Sequence, residues 1–301
     1  MNLCFVINHN YVEKLLVTLY SCYLNNSFEK IHAYIIQKDL TSFDKNRIEV
    51  FFTRYNVEID FYDVDDKLFM NASHMATDKV SYTTYYKLYI LKLLNKLDRV
   101  LYLDCDIIVD GDITQFYYQK MNKFMGVVKD NEIIKSNKNY IKKITGSRKN
   151  NYFNAGVILF NFYEGYEYDI PSMDEIVEFL NTKSSNLKMH DQDIFNHFFK
   201  GNLQFFEEKY NYFAIYHHLY QLLLPIPNKF NPTIIHYVGL KPWQKGYVGF
   251  FKKKYIYYYN KVNEVYNINF LEKNSLKYKT KYYVIICRTK IHRFVNWVLK
   301  K

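Results

Sequence analysis

Two carboxylates, Asp104 and Asp106, stand one residue apart in the run Arg99-Val100-Leu101-Tyr102-Leu103-Asp104-Cys105-Asp106-Ile107-Ile108-Val109. Short apolar runs rich in Val, Leu and Tyr read as buried strands. In an extended chain the side-chain period is two, so both carboxylates are expected on one side. Two such groups at the open end of a buried strand repel each other unless a cation lies between them. A hard divalent ion with oxygen ligands meets that need, Mg²⁺ or Mn²⁺ best of all. Ligands of open α/β sheets bind at the carboxyl ends of strands, so substrate phosphates are the natural partners of such an ion. The pair taken alone also suits a strand that runs into an acidic surface turn.

The elements around the pair read as an α/β chain. Leu3–Ile7, Ile31–Ile36 and Val57–Tyr62 are strand-like. They alternate with a helix over Val12–Tyr23 and one that starts at the capping sequence Thr41-Ser42-Phe43-Asp44 and runs to about Arg54. This β-α-β-α-β order predicts a parallel sheet. Ser81 is a candidate cap for a long helix through Thr84, Lys87, Leu88, Leu91 and Leu94. Further strands are expected at Phe124–Val128, Gly156–Phe162 and Ile234–Val238, with loop or short helix over the lysine-rich stretch 131–151. Helices are expected from Pro171 and over Asp191–Lys200, the latter closed by Gly201.

With 301 residues, 49% hydrophobic, the chain can build a large core. Its four cysteines (Cys4, Cys22, Cys105 and Cys287) lie far apart in no metal-ligand spacing and read as reduced thiols. No run approaches the ~20 apolar residues that span a bilayer. Met1-Asn2 leads directly into a strand-like run, without the pattern of a signal peptide. A cytoplasmic protein, peripheral at the inner face of the membrane, is the expectation. The net charge of +11 is concentrated in the last 61 residues, which hold 15 Lys and Arg against 2 acidic groups; the rest carries −2.

Five ordered stretches over about the first 245 residues resemble glycosyltransferase family 8, the retaining galactosyl- and glucosyltransferases that include bacterial lipopolysaccharide enzymes and glycogenin. They are Phe5–Tyr11; Leu101-Tyr102-Leu103-Asp104-Cys105-Asp106; Phe153-Asn154-Ala155-Gly156-Val157; His190-Asp191-Gln192-Asp193-Ile194-Phe195-Asn196; and His236-Tyr237-Val238-Gly239-Leu240-Lys241-Pro242-Trp243. The resemblance implies a GT-A (Rossmann-like) fold with a mixed, mostly parallel sheet flanked by helices. It implies a UDP-sugar donor, Mn²⁺ (Mg²⁺ as the alternative), a lipid-linked or protein-linked glycan acceptor and retention of anomeric configuration. A catalytic domain over 1–248 and a basic, aromatic appendage over 249–301 follow.

Carried onto this chain, the resemblance makes Asp104, Asp106 and His236 the metal ligands, with an imidazole nitrogen that suits Mn²⁺ better than Ca²⁺. Asn8, Asn10 and Tyr11 would hold the uridine, Tyr11 by stacking and the amides by reading the edge of the base. Asn8 stands where some relatives have Asp. Lys87 falls where relatives often have Arg, keeping the charge without the bidentate fork. Gly239 would let backbone approach the phosphates and Lys241 would place a charge on them. One residue separates these two where two are usual. Asp130, Asn154 and Asp191 would grip sugar hydroxyls, Gly156 would admit the sugar, and Cys105 and Ala155 complete the donor site. Gln192 would face the anomeric carbon; an amide is a poor nucleophile, which favours front-face attack over a covalent intermediate.

In the tail, Val284, Cys287, Ile291, Phe294 and Val298 form one apolar stripe with basic residues off it. That pattern predicts association with an anionic membrane surface, against a helix packed on the catalytic domain. Two other functions compete. A sugar nucleotidyltransferase lacks support, since no Gly-rich, lysine-bearing phosphate loop follows the first strand. A non-enzymatic binder of nucleic acid or membrane fits the tail but not the acidic cluster in a near-neutral body, so no nucleic-acid partner is expected.

Overall fold

The computed structural model describes residues 1–65, 69, 82–146, 151–163, 168–183, 187–214, 231–247 and 251–272. Seven strands form the main sheet in the order β3-β2-β1-β4-β7-β6-β8: β1 Asn2–Val6, β2 Ile31–Gln37, β3 Val57–Asp63, β4 Arg99–Leu103, β6 Met125–Lys129, β7 Phe153–Asn161 and β8 Leu203–Phe205. The first half is parallel, as the β-α-β-α-β order predicts. β7 runs antiparallel to both β4 and β6, making the sheet mixed. All nine residues of β7 are buried, so the strand is covered on both faces.

A small second sheet, β5-β10-β9, is built from Ile107–Val109, Ile234–His236 and Tyr212–Phe213. The run 99–109 is therefore not one strand. It leaves the main sheet after Leu103, turns through Asp104-Cys105-Asp106, and enters the small sheet at Ile107. Asp104 N–H donates to the Gly156 carbonyl at 2.9 Å, and the Asp106 carbonyl accepts from Tyr237 N–H at 2.9 Å. The turn is thus tied to both sheets.

The helix α1, Val12–Asn25, packs under this turn. Its buried Thr18 hydroxyl lies 3.1 Å from the Cys105 carbonyl and 2.9 Å from that of Ile107, and Ser21 Oγ accepts from Val109 N–H at 3.0 Å. These polar positions on a buried helix face satisfy backbone groups that the sheet switch leaves unpaired. The helix α2, Ser42–Phe52, begins with the capping box read from the sequence: Thr41 accepts from Asp44 N–H, and the Asp44 carboxylate accepts from Thr41 N–H.

The long helix expected from Ser81 is replaced by a 3₁₀ segment, Tyr82–Tyr89, and one α-helical turn, Ile90–Leu93; Ser81 itself lies outside the described residues. The segment is buried from Tyr85 to Leu91, lysine included. Helix propensity yields here to packing, helped by the β-branched Thr83 and Thr84.

The helix Lys252–Val265, at the start of the basic tail, buries Tyr255, Tyr258, Tyr259 and Val262 in the same core as α1 and β5. Its Lys254 and Tyr258 both bond Asp110, and Asn25 of α1 donates to Tyr258 Oη at 2.8 Å. The stripe from Val284 to Val298 lies outside the described residues. Cys4, Cys22 and Cys105 are buried free thiols. Among the described residues no helix is long and apolar enough to cross a membrane.

Candidate active site

The switch between the sheets places Asp104, Asp106 and His236 together. One ligand atom from each lies within 4.8 Å of the other two. His236 ends β10, paired antiparallel to β5, which brings it opposite Ile107 and beside the turn. Its Nε2 lies 3.3 Å from Asp106 Oδ1 and 3.8 Å from Asp104 Oδ2. The residues fit a divalent cation: two oxygen donors and one imidazole nitrogen converge.

Gly156 is part of this fit. A Cβ built there would come within 2.3 Å of His236 Cε1 and 2.8 Å of Asp104 Oδ2. The glycine makes room for the Asp104 and His236 side chains themselves, a role its position before an apolar run does not disclose. Gly239 has a φ of +82°, a conformation that disfavours side chains.

Two lysines neutralise the carboxylates. Lys87 is buried, with Nζ 2.7 Å from Asp191 Oδ2, 3.4 Å from Asp104 Oδ1 and 3.3 Å from the Ala155 carbonyl. Burial works against its charge, but Asp104 and Asp191 outweigh it and hold the ammonium above the ordinary lysine range. Lys241 bonds Asp106 Oδ2 and, at 3.1 Å, the Tyr237 carbonyl. The short Gly239–Lys241 spacing therefore still lets the ammonium reach the carboxylate pair. Burial works against a charge on Asp106, but Lys241 and His236 outweigh it and keep its carboxyl well below the usual carboxylate range.

A pocket of about 300 Å³ opens beside the carboxylates, lined by Asn8, Tyr11, Thr84, Lys87, Asp106 and Lys241 among others. Asn8 Oδ1 is buried and finds no donor among the described residues. Such an acceptor costs ~1–3 kcal/mol unless a ligand supplies the missing hydrogen. Tyr11 is half-buried at the pocket wall, edge-on to Trp243. Asn10 is exposed, and its carbonyl accepts from Lys14. The Cys105 thiol is pushed far up by burial and by Asp104 and Asp106, so it stays protonated; its carbonyl is held by Thr18. A larger hollow of about 540 Å³ lies at the starts of β1 and β4, but its Arg99 guanidinium is committed to the carbonyls of Tyr117 and Gln119.

The remaining sequence candidates converge on the same side of β7. Gln192 Oε1 accepts from Asn154 Nδ2 at 2.9 Å and Ala155 N–H at 3.2 Å, while its Nε2 donates to Asp130 Oδ2 at 3.2 Å. Burial pushes the Asp130 carboxyl up. Asp193 is fully buried, with donors Tyr140, Tyr152, Lys188 N–H and Met189 N–H around it. It anchors the turn before the helix Asp191–Phe198, where His190 holds a φ of +50°. Sequence reasoning missed Asn211, which accepts from His236 Nδ1 at 2.9 Å. The available signal was a polar residue inside the buried aromatic run Tyr210–Ala214.

Solved structures share this architecture. A galactosyltransferase, LgtC, in complex with donor and acceptor sugar analogues superposes with a TM-score of 0.73 at 20% identity, covering 93% of this chain and 100% of that one. An active-site mutant of LgtC gives 0.75 at 21%, covering 87% and 96%. The fold is thus the GT-A fold of glycosyltransferases. Residues 2–246 match the profile of Glycosyl transferase family 8, and the chain belongs to that family. It is 28% identical to a lipopolysaccharide 1,2-glucosyltransferase of Escherichia coli, over 81% of this chain and 73% of that one. It is 26% identical to a lipopolysaccharide 1,3-galactosyltransferase of Salmonella typhimurium, over 80% and 72%. Family membership sets aside the nucleotidyltransferase and the non-enzymatic binder.

Proposed function

We propose that this glycosyltransferase moves galactose or glucose from a UDP-sugar to a glycan acceptor, with Mn²⁺ in the Asp104–Asp106–His236 site and with retention. The observation that carries this reading is the convergence of those three ligands beside a pocket with an orphaned amide oxygen, Asn8 Oδ1. A uracil ring presents one N–H to such an acceptor, and Tyr11 offers a face for stacking. A divalent cation in the site would neutralise the charge that builds on the departing diphosphate. Lys241 adds a mobile positive charge at the same place by leaving Asp106 for a phosphate oxygen. Asp130, Asn154 and Asp191 offer acceptors and donors for sugar hydroxyls.

Retention is read as front-face attack. Gln192 has both ends of its amide engaged, and Asp193 is enclosed by its donors, so neither is a free nucleophile. The acceptor hydroxyl would lose its proton to the departing phosphate oxygen. A glycosyl-enzyme trapped on Asp191 would replace this with a double displacement. The lipopolysaccharide relatives support a lipid-linked acceptor, and the basic tail supports a site of action at an anionic membrane surface.

Release of UDP from UDP-galactose and UDP-glucose tests the donor. UDP formation that requires Mn²⁺ or Mg²⁺ and stops with chelator is the expected result. Hydrolysis of neither UDP-sugar with either ion, under conditions where the protein is folded, would remove the reading. Asn8→Leu separates the base contact from the fold. UDP affinity is expected to fall about tenfold for one lost hydrogen bond, while thermal stability holds or rises because a buried orphan is removed. An unchanged UDP titration would free Asn8 of that role.

A further inference from the structure

We propose that Asn211 is a positioning residue that fixes the proton of His236 on Nδ1, as the last link of a one-way relay of side-chain amides anchored on the backbone of β7. Its bearing on metal binding rests on the metal site proposed above; the relay itself does not. Its polarity follows from two backbone donors. Gly156 N–H lies 3.0 Å from an Asn154 side-chain atom, and Ala155 N–H lies 3.2 Å from one of Gln192. A backbone N–H only donates, so both side-chain atoms are oxygens.

The remaining assignments are forced in turn. The other terminal atom of Asn154 is then its nitrogen, which donates to Gln192 Oε1 at 2.9 Å. The other end of Gln192 is also nitrogen and donates to Asp130 Oδ2 at 3.2 Å; the second Asp130 oxygen accepts from Ile133 N–H at 3.1 Å. In the opposite direction, Asn154 Oδ1 meets an Asn211 atom at 3.0 Å, which must be the donor Nδ2. Asn211 therefore turns its oxygen to His236 Nδ1 at 2.9 Å, and that nitrogen must carry the hydrogen. Nε2 is left to face Asp104 and Asp106. Asn154, Gln192, Asn211 and His236 are all buried, so a flip at any link sets like groups face to face without water to relieve them.

The relay gives His236 the orientation a metal ligand needs, a partner on the far nitrogen that fixes the tautomer. It also joins the residues proposed to hold the sugar to the metal ligand through one chain of bonds. Two variants divide its functions. Asn211→Asp keeps an acceptor for His236 Nδ1 but loses the donor to Asn154. Asn211→Leu loses both.

The test combines ¹⁵N NMR of the metal-free protein with titration of Mn²⁺ alone, followed by the EPR signal of the free ion. The expected spectrum shows a solvent-protected Nδ1–H for His236, present in the wild type and in Asn211→Asp and absent from Asn211→Leu. The expected Mn²⁺ affinity falls about 10- to 100-fold in Asn211→Leu and is largely retained in Asn211→Asp. A His236 proton found on Nε2 with Nδ1 bare would overturn the proposal. So would a folded Asn211→Leu protein that binds Mn²⁺ like the wild type, or an Asn211→Asp protein that has lost it. Should Asn211→Leu fail to fold, the wild-type spectrum and the Asp variant still decide. A wild type that binds no Mn²⁺ would sink the metal site, while the spectrum would still judge the relay.

Discussion

Asp106→Asn is expected to lower sugar transfer by about a thousandfold, because it removes a charged ligand of the proposed metal where leaving-group charge must be neutralised. The same substitution is expected to destabilise the fold, for a separate reason. Lys241 is bonded to Asp106, and burial already disfavours its charge. Removing one partner of a largely buried pair costs roughly 3 kcal/mol. The second substitution Lys241→Met takes away the stranded ammonium. The double variant should regain much of the lost stability in thermal melts and none of the activity. If activity returned with stability, Asp106 would be a structural partner of Lys241 and not a ligand.

Gly156→Ala is expected to cost about a hundredfold in both Mn²⁺ affinity and transfer, from one added methyl group. The new Cβ would lie 2.3 Å from His236 Cε1 and 2.8 Å from Asp104 Oδ2, so both side chains, proposed above as ligands, must move. β7 cannot yield, since it is buried along its whole length between β4 and β6. Displaced ligands lose the fixed geometry on which metal affinity depends. The variant should fold, with its damage confined to the site. Wild-type Mn²⁺ affinity in Gly156→Ala would show that the ligands have slack which the packing denies.

Much of this site was legible because its chemistry lies in residue types. Asp104 and Asp106 stand out by type and spacing alone, whereas His236, inside the run Ile234–Val238, and Asp191-Gln192, opening a helix, were singled out by the family resemblance. The parallel half of the sheet was legible for a similar reason: β1 to β3 alternate with helices, the second of which carries its own start signal, the Thr41–Asp44 box. The switch of sheets at Asp104–Asp106 was not. An apolar run of eleven residues carries the same periodicity whether it stays in one sheet or crosses to another. The 3₁₀ form of Tyr82–Tyr89 was hidden because packing around Lys87 decides it. Asn211 was hidden more deeply. Its significance lies in partners 57 and 25 residues away, Asn154 and His236, which only the fold brings together.

The central claim is that one divalent ion joins the carboxylate–imidazole cluster to the diphosphate of the donor. Pulsed electron–nuclear double resonance on the protein with Mn²⁺ and UDP tests it most directly. The account predicts a single Mn²⁺ that shows both ³¹P couplings from UDP and a ¹⁴N coupling that disappears in His236→Ala. A protein-bound Mn²⁺ that shows the phosphorus couplings but no nitrogen, with His236→Ala unchanged, would contradict it.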